Sequence, residues 1–192
     1  MLEHHKAQGF LPIWTAWNQE NYCMIGNHAI LVITDAYIKG ISDLNAKEEL
    51  VAMVKSTNEN HLNSEWDIYT KYGYYPFDLI DNESVFRTLE RGYYFFCVAL
   101  IAEFLGKDSL ATTYTLRSNY YKNLFDIDIG LMRGRNAKGE YRMPFKPLSQ
   151  TSPLNNPRDY SEVSAWQYSR PSTQHDVQGL IDLLGGKDQF TK

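Results

Sequence analysis

Residues 84–106, SVFRTLERGYYFFCVALIAEFLG, decide the fold class of this chain. Asn82 or Ser84 offers a side-chain oxygen able to cap a helix start. Phe86, Leu89, Tyr93, Phe96, Leu100 and Phe104 then recur three or four residues apart, the period that gathers apolar side chains on one helix face. Gly106 closes the run, as glycine does where a helix must turn left-handed to stop.

Helical patterns continue on both sides. Upstream, 24–39 carries Ile25, Ala29, Val32, Ile33, Ala36 and Tyr37 at helical spacing and ends at Gly40, and 46–56 shows a face of Leu50, Val51 and Val54. Between these and the central helix, 57–81 reads as a long loop rich in aromatic residues: Trp66, Tyr69, Tyr72, Tyr74, Tyr75 and Phe77. Loops of that length are uncommon unless functional. Downstream, 109–124 is helical, 126–157 reads as loops with a short hairpin, and 161–168 and 175–184 are two closing helices, the last stopped by Gly185-Gly186. Strand patterns are scarce, and the class is all-α: helical hairpins with long loops on one side. The absence of a fixed-period repeat argues against an unrelated helical-repeat scaffold.

Composition bounds the partners. The 192 residues are enough for a sizeable core in one domain or two small ones. With 19 Lys and Arg against 23 Asp and Glu, the net charge is −4, which lacks the basic footprint that phosphate backbones demand and excludes nucleic acid as an expected partner. No apolar run approaches the roughly 18 residues of a membrane span. The opening MLEHHKAQGF has no apolar core segment, so no signal peptide is read in this chain. Cys23 and Cys97 are too few for a disulfide framework, and Cys23 is expected as a buried structural cysteine rather than a nucleophile. The unusual quantity is aromatic, with 14 Tyr, 9 Phe and 4 Trp, which build either core or sugar-stacking surfaces.

The strong motifs of metal, phosphate and serine-nucleophile chemistry are missing: no His-Glu-x-x-His, no paired Cys-x-x-Cys, no glycine-rich phosphate loop and no Gly-x-Ser-x-Gly. His4-His5 reads as a solvated terminus or a weak surface metal pair. Acid–base chemistry has better candidates. Glu162 precedes Trp166 and Tyr168, where desolvation would raise a carboxyl pKa and suit a general acid; the alternative places Glu162 in the first helical turn, complementing the dipole. Trp14, Trp17 and Glu20, within WTAWNQENYCMIG, describe either packed core or a sugar subsite. Arg133 and Arg135 read as a solvated turn or an anion clamp. His175-Asp176 reads as a helix start, with a pocket as the alternative.

Four segments in order, 9–41, 84–107, 118–145 and 159–190, resemble the catalytic domain of glycoside hydrolase family 92, most sharply in Glu162-x-x-Ala165-Trp166-Gln167-Tyr168 followed by His175-Asp176-Val177 and a Gly-Gly stop. These are calcium-dependent, inverting exo-α-mannosidases, many acting on α-1,2-linked mannose of N-glycans. The resemblance implies part of an (α/α)6 toroid, residues 1–192 forming one partial catalytic-domain segment with about half of the ring's helices. It implies Glu162 as general acid, Trp14, Trp17, Glu20, Trp166, His175 and Asp176 as substrate-lining residues, Glu90 and Gln167 in the calcium region, calcium as cofactor and a mannose-containing glycan as partner. Periplasmic or secreted localisation in a bacterium is the inherited expectation. The family's later Gly-Asn-Asp-rich segment, which supplies the general base, has no counterpart here, so this chain alone is expected to be inactive. An incomplete ring further implies self-association or a complementary chain. The alternative is a non-catalytic helical carbohydrate-binding or interaction module, motivated by the missing base and the aromatic loop 66–77.

Overall fold

A computed structural model describes residues 1–17, 19–23, 25–41, 45–62, 64–150, 159–160 and 163–191. In chain order the helices are α1 (Leu2–Gln8), α2 (Ala29–Ile38), α3 (Ala46–Ser56), α4 (Trp66–Tyr72), α5 (Ser84–Phe104), α6 (Asp108–Ser118), α7 (Ala165–Ser169), α8 (Val177–Leu183) and α9 (Lys187–Phe190). Two antiparallel pairs of two-residue strands accompany them: β1 (Thr15–Ala16) with β2 (Gln19–Glu20), and β3 (Phe125–Asp126) with β4 (Leu131–Met132).

The periodic segments 46–56 and 84–104 are helical with the expected bounds. Elsewhere the chain departs from the pattern. The first expected helix begins at Ala29 rather than residue 24, because Gly26 adopts φ 104 and a Cβ there would lie 2.4 Å from the Tyr94 hydroxyl. Cys23 is exposed, contrary to the buried role expected of it, whereas Cys97 is buried and its thiol is pushed up to about 12 by desolvation. The aromatic loop contains α4, whose start is held by Asn60: its side chain accepts from the Asp67 N–H at 3.1 Å and donates to the Asp67 carboxylate at 2.8 Å. The helix expected over 109–124 ends at Ser118 and tightens into a 3-10 turn, Asn119–Leu124. Finally, α1 forms where no apolar period announced it.

The chain divides into two compact units, residues 1–68 with 94–118, and residues 69–93 with 119–192. In the first, Leu11, Ile30, Ala52 and Met53 are fully buried, with Trp66 tilted against Phe95 (5.8 Å) and Phe95 edge-on to Tyr114 (5.5 Å). Tyr114 is fixed by the Thr57 hydroxyl at 2.8 Å. In the second, Tyr74, Val85, Leu89, Tyr121, Leu124, Met132, Tyr160, Ala165 and Leu180 make one apolar cluster.

Helix α5 is buried almost all round. Val85, Leu89, Tyr94, Val98 and Ala102 are fully enclosed, while Phe86, Glu90, Tyr93, Phe96 and Leu100 are only half-buried and Phe104 is exposed. Thus the aromatic stripe that the sequence marks as the helix's apolar face is its more open face. Among the described residues, no helix is long and apolar enough to cross a membrane.

Candidate active site

The second unit gathers most of the residues that the sequence singles out. Asp159 is buried and receives the Arg142 guanidinium through two bonds, Nε to Oδ2 at 2.7 Å and Nη2 to Oδ1 at 2.8 Å, with the Ser84 hydroxyl at 2.9 Å. Its carbonyl accepts the N–H groups of Val85 and Phe86, both at 3.0 Å, satisfying amides that the first turn of α5 leaves without helical partners. Next in sequence, Tyr160 is buried and donates to the Met132 carbonyl. Two residues past Glu162, Ser164 caps α7: its hydroxyl accepts from the Gln167 N–H at 3.2 Å, and the Gln167 side-chain oxygen accepts from the Ser164 N–H at 3.0 Å. Glu162 itself lies outside the described residues.

The open face of α5 meets this segment. Phe86 stacks on Tyr168 (centroids 4.3 Å, 21°), and one turn further on Glu90 accepts the Tyr168 hydroxyl. Tyr93, again on that face, lies parallel to the His175 ring (6.0 Å, 11°), while Tyr121 meets His175 edge-on at 5.5 Å. The spacing 86, 90, 93 puts all three on one helix face. Glu90, Tyr168 and His175 are therefore brought together by one stripe of α5. Asp176 is the N-cap of α8, as the helix-start reading requires; it accepts from the Gly179 N–H at 2.9 Å and the Tyr121 hydroxyl at 2.8 Å, with Lys122 Nζ at 3.2 Å. Burial pulls the Asp176 carboxyl upward, but these donors and the Lys122 charge outweigh it and hold the group below the usual range. Burial and then the Asp176 carboxylate push the Tyr121 hydroxyl well above its ordinary value, so it remains a neutral donor. Trp166 is 59% exposed beside this cluster's helix. Arg133 is no solvated turn: it pairs with buried Asp126 at 2.8 Å, and the Arg135 guanidinium lies over the Tyr141 ring. Tyr121, Lys122, Arg142 and Asp159 carry no local sequence signal of a site; for Phe86, Glu90 and Tyr93 the i, i+4, i+7 spacing is that signal.

The other candidates belong to the first unit. Trp14, Trp17 and Glu20 occupy the β1–β2 hairpin. Glu20 is buried, and its carboxylate accepts four backbone N–H groups: Ile13 at 2.7 Å, Trp14 at 2.8 Å, Tyr22 at 3.0 Å and Asn21 at 3.1 Å. Desolvation alone would raise its pKa; the four amides prevail and lower it. Neither tryptophan packs as core, Trp14 being 49% and Trp17 88% exposed. Trp17 opens the turn with φ 51, a conformation that costs a bulky residue about 1 kcal/mol or more.

The sequence pattern of the glycosyl hydrolase family 92 catalytic domain matches residues 1–192. The chain belongs to this family. Solved structures agree. An α-mannosidase of family 92 from Bacteroides thetaiotaomicron, in complex with mannoimidazole, superposes with TM-score 0.91 at 34% identity, over 100% of this chain and 25% of that one. A family 92 inverting mannosidase from the same organism gives 0.89 at 31% identity, over 98% and 25%. A secreted, uncharacterized glycosidase of Arthroderma benhamiae is 28% identical across 99% of this chain and 28% of its own length. The chain thus spans about a quarter of the relatives it matches. Its helices and short strand pairs are those of part of a family 92 (α/α)6 toroid.

Calcium takes six to eight oxygen ligands. Among the described residues, no three His, Cys, Asp or Glu side chains stand together to hold a metal ion, and the Gln167 amide oxygen is engaged in capping α7. These residues do not by themselves fit a calcium site.

Proposed function

We propose that this chain forms the general-acid portion of an inverting α-mannosidase site, with Glu162 protonating the glycosidic oxygen as mannose leaves. The observation that supports this most is the family match across the whole chain, which includes the segment Glu162-x-x-Ala165-Trp166-Gln167-Tyr168. The anchors around that segment suit the role. An acid must be held within hydrogen-bond reach of the leaving oxygen, and in the sequence Glu162 stands between anchored residues, Asp159 and Tyr160 before it and Ser164, the cap of α7, after it. Trp166, His175 and Asp176 line the sugar side of this site. In the first unit, Glu20 sets the hairpin that bears Trp14 and Trp17.

The substrate in this reading is an α-1,2-linked mannose of an N-glycan. Inversion requires a second carboxylate, about 6.5–9.5 Å from the acid, to activate water on the opposite face. That base is contributed by sequence outside these 192 residues, and this chain alone releases no mannose. Calcium would be held by the assembled site, with Glu90 and Gln167 the residues of this chain that would contribute to it only alongside ligands from outside these 192 residues; no step assigned to this chain runs through the ion. A bacterial origin, export to the periplasm or medium, and association with a complementary chain complete the reading. The test is mannose release from α-1,2-mannobiose with calcium present. Release above the uncatalysed rate that disappears in Glu162→Gln would contradict the missing base, and release indifferent to Glu162→Gln would remove the acid assignment.

A further inference from the structure

The β1–β2 hairpin holds a tryptophan where a folding chain gains nothing from one. Trp17 is 88% exposed, so its ring buries almost no apolar surface, and its φ of 51 is one that glycine or asparagine adopts far more readily. The hairpin is nonetheless rigidly made. Its two strands are two residues long, too short to hold themselves, and the buried Glu20 carboxylate ties the segment entering β1, through the Ile13 and Trp14 amides, to the segment leaving β2, through the Asn21 and Tyr22 amides. The Asn21 N–H also donates to the Trp14 carbonyl at 3.1 Å. A fixed base that displays an exposed, strained indole is the arrangement of a ligand platform.

From this geometry, and resting on the glycan reading above, we infer that Trp17 is a stacking subsite for a pyranose ring other than the one released. The indole presents an apolar face that suits the C–H face of a sugar. The ring undergoing cleavage needs enclosure and several hydrogen bonds to its hydroxyls; an almost fully exposed side chain at a hairpin tip supplies neither. What it supplies is one flat surface, which suits an outlying residue of a larger glycan. Trp17 therefore selects for glycan length and leaves the chemistry at the cleaved bond unchanged.

Titration of the 192-residue chain with mannose and with a linear mannopentaose, followed by calorimetry, tests this together with thermal unfolding of each variant. The unaltered chain binds the pentasaccharide more tightly than mannose. Trp17→Gly lowers pentasaccharide affinity about three- to tenfold, the scale of one aromatic contact, leaves mannose affinity unchanged, and keeps or raises the unfolding temperature because glycine relieves the positive φ. Trp17→Tyr restores most of the lost affinity. Unchanged pentasaccharide binding in a folded Trp17→Gly overturns the inference while leaving the mannosidase reading intact, as does an equal loss of mannose and pentasaccharide affinity. No binding of the pentasaccharide by the folded, unaltered chain overturns the inference, while the general-acid reading stands or falls by mannose release.

Discussion

Asp159 and Glu20 are both buried carboxylates, 3% and 9% exposed, that accept several donors, yet they are satisfied from different distances. Glu20 takes only backbone amides within seven residues of itself, so the short segment around it makes its own knot. Asp159 takes Arg142 from 17 residues away and Ser84 from 75, and through its carbonyl it also closes the start of α5. The first device shapes one hairpin. The second ties three separate stretches of the second unit together at the approach to Glu162.

Breaking the long-range knot should therefore cost more. Asp159→Asn leaves the Arg142 charge with a neutral partner in a mostly buried setting, and we expect a loss of about 3–5 kcal/mol in unfolding free energy by urea titration; a loss under about 1 kcal/mol would reduce Asp159 to an ordinary surface pair. Glu20→Gln removes the charge from these bonds and, with its amide oxygen kept at the three N–H groups on Oε1, turns an NH2 donor toward the Ile13 N–H, at about 2 kcal/mol. Its pH signature is specific. The folded pKa is lowered, so the stabilisation is complete above the ordinary glutamate value and is lost as pH falls through the folded one. The Gln variant should show less acid destabilisation than the parent.

Glu49 sharpens the contrast from the other side. It is similarly buried on α3, but its Oε2 has no hydrogen-bond partner among the described residues, and burial, helped by the neighbouring Glu48, raises its pKa. The folded state then holds its proton more tightly than the unfolded state, so stability falls as pH rises from the ordinary glutamate value through the raised one. Glu49→Met should remove that decline and stabilise the chain by about 1 kcal/mol at neutral pH. A destabilised Met variant would show that Glu49 has a partner role after all.

The same contrast of distances explains how much was legible in the sequence. Helices α3 and α5 follow from local apolar period. So does the Asp176 cap, whose donor Gly179 is three residues on. Helix α4 was hidden because its seven residues show aromatic side chains without a sustained period; burial of Trp66 and Tyr69 to 1% exposure, a tertiary effect, decides it. Helix α5 is instructive in another way. A helix enclosed on nearly all sides has no polar face to contrast with, so the spacing of its aromatic stripe marks a helix without telling that this is the face that receives Tyr168 and His175. The Glu162 segment was recognisable by its motif, but its anchors at Arg142 and Ser84 were not, because nothing local marks a pair 17 or 75 residues apart.

The central claim is that Glu162 is a proton donor to the leaving group, and leaving-group dependence tests it most directly. Residues 1–192 would replace the matching quarter of the Bacteroides thetaiotaomicron α-mannosidase, and mannose release would be measured on α-1,2-mannobiose and on 2,4-dinitrophenyl α-mannoside. A sugar leaving group needs protonation and a dinitrophenolate does not. Glu162→Gln should therefore slow mannobiose cleavage by about 100-fold or more and leave the aryl mannoside within a few-fold of the parent chimera. Equal losses on both substrates, or no loss on mannobiose, would contradict the assignment.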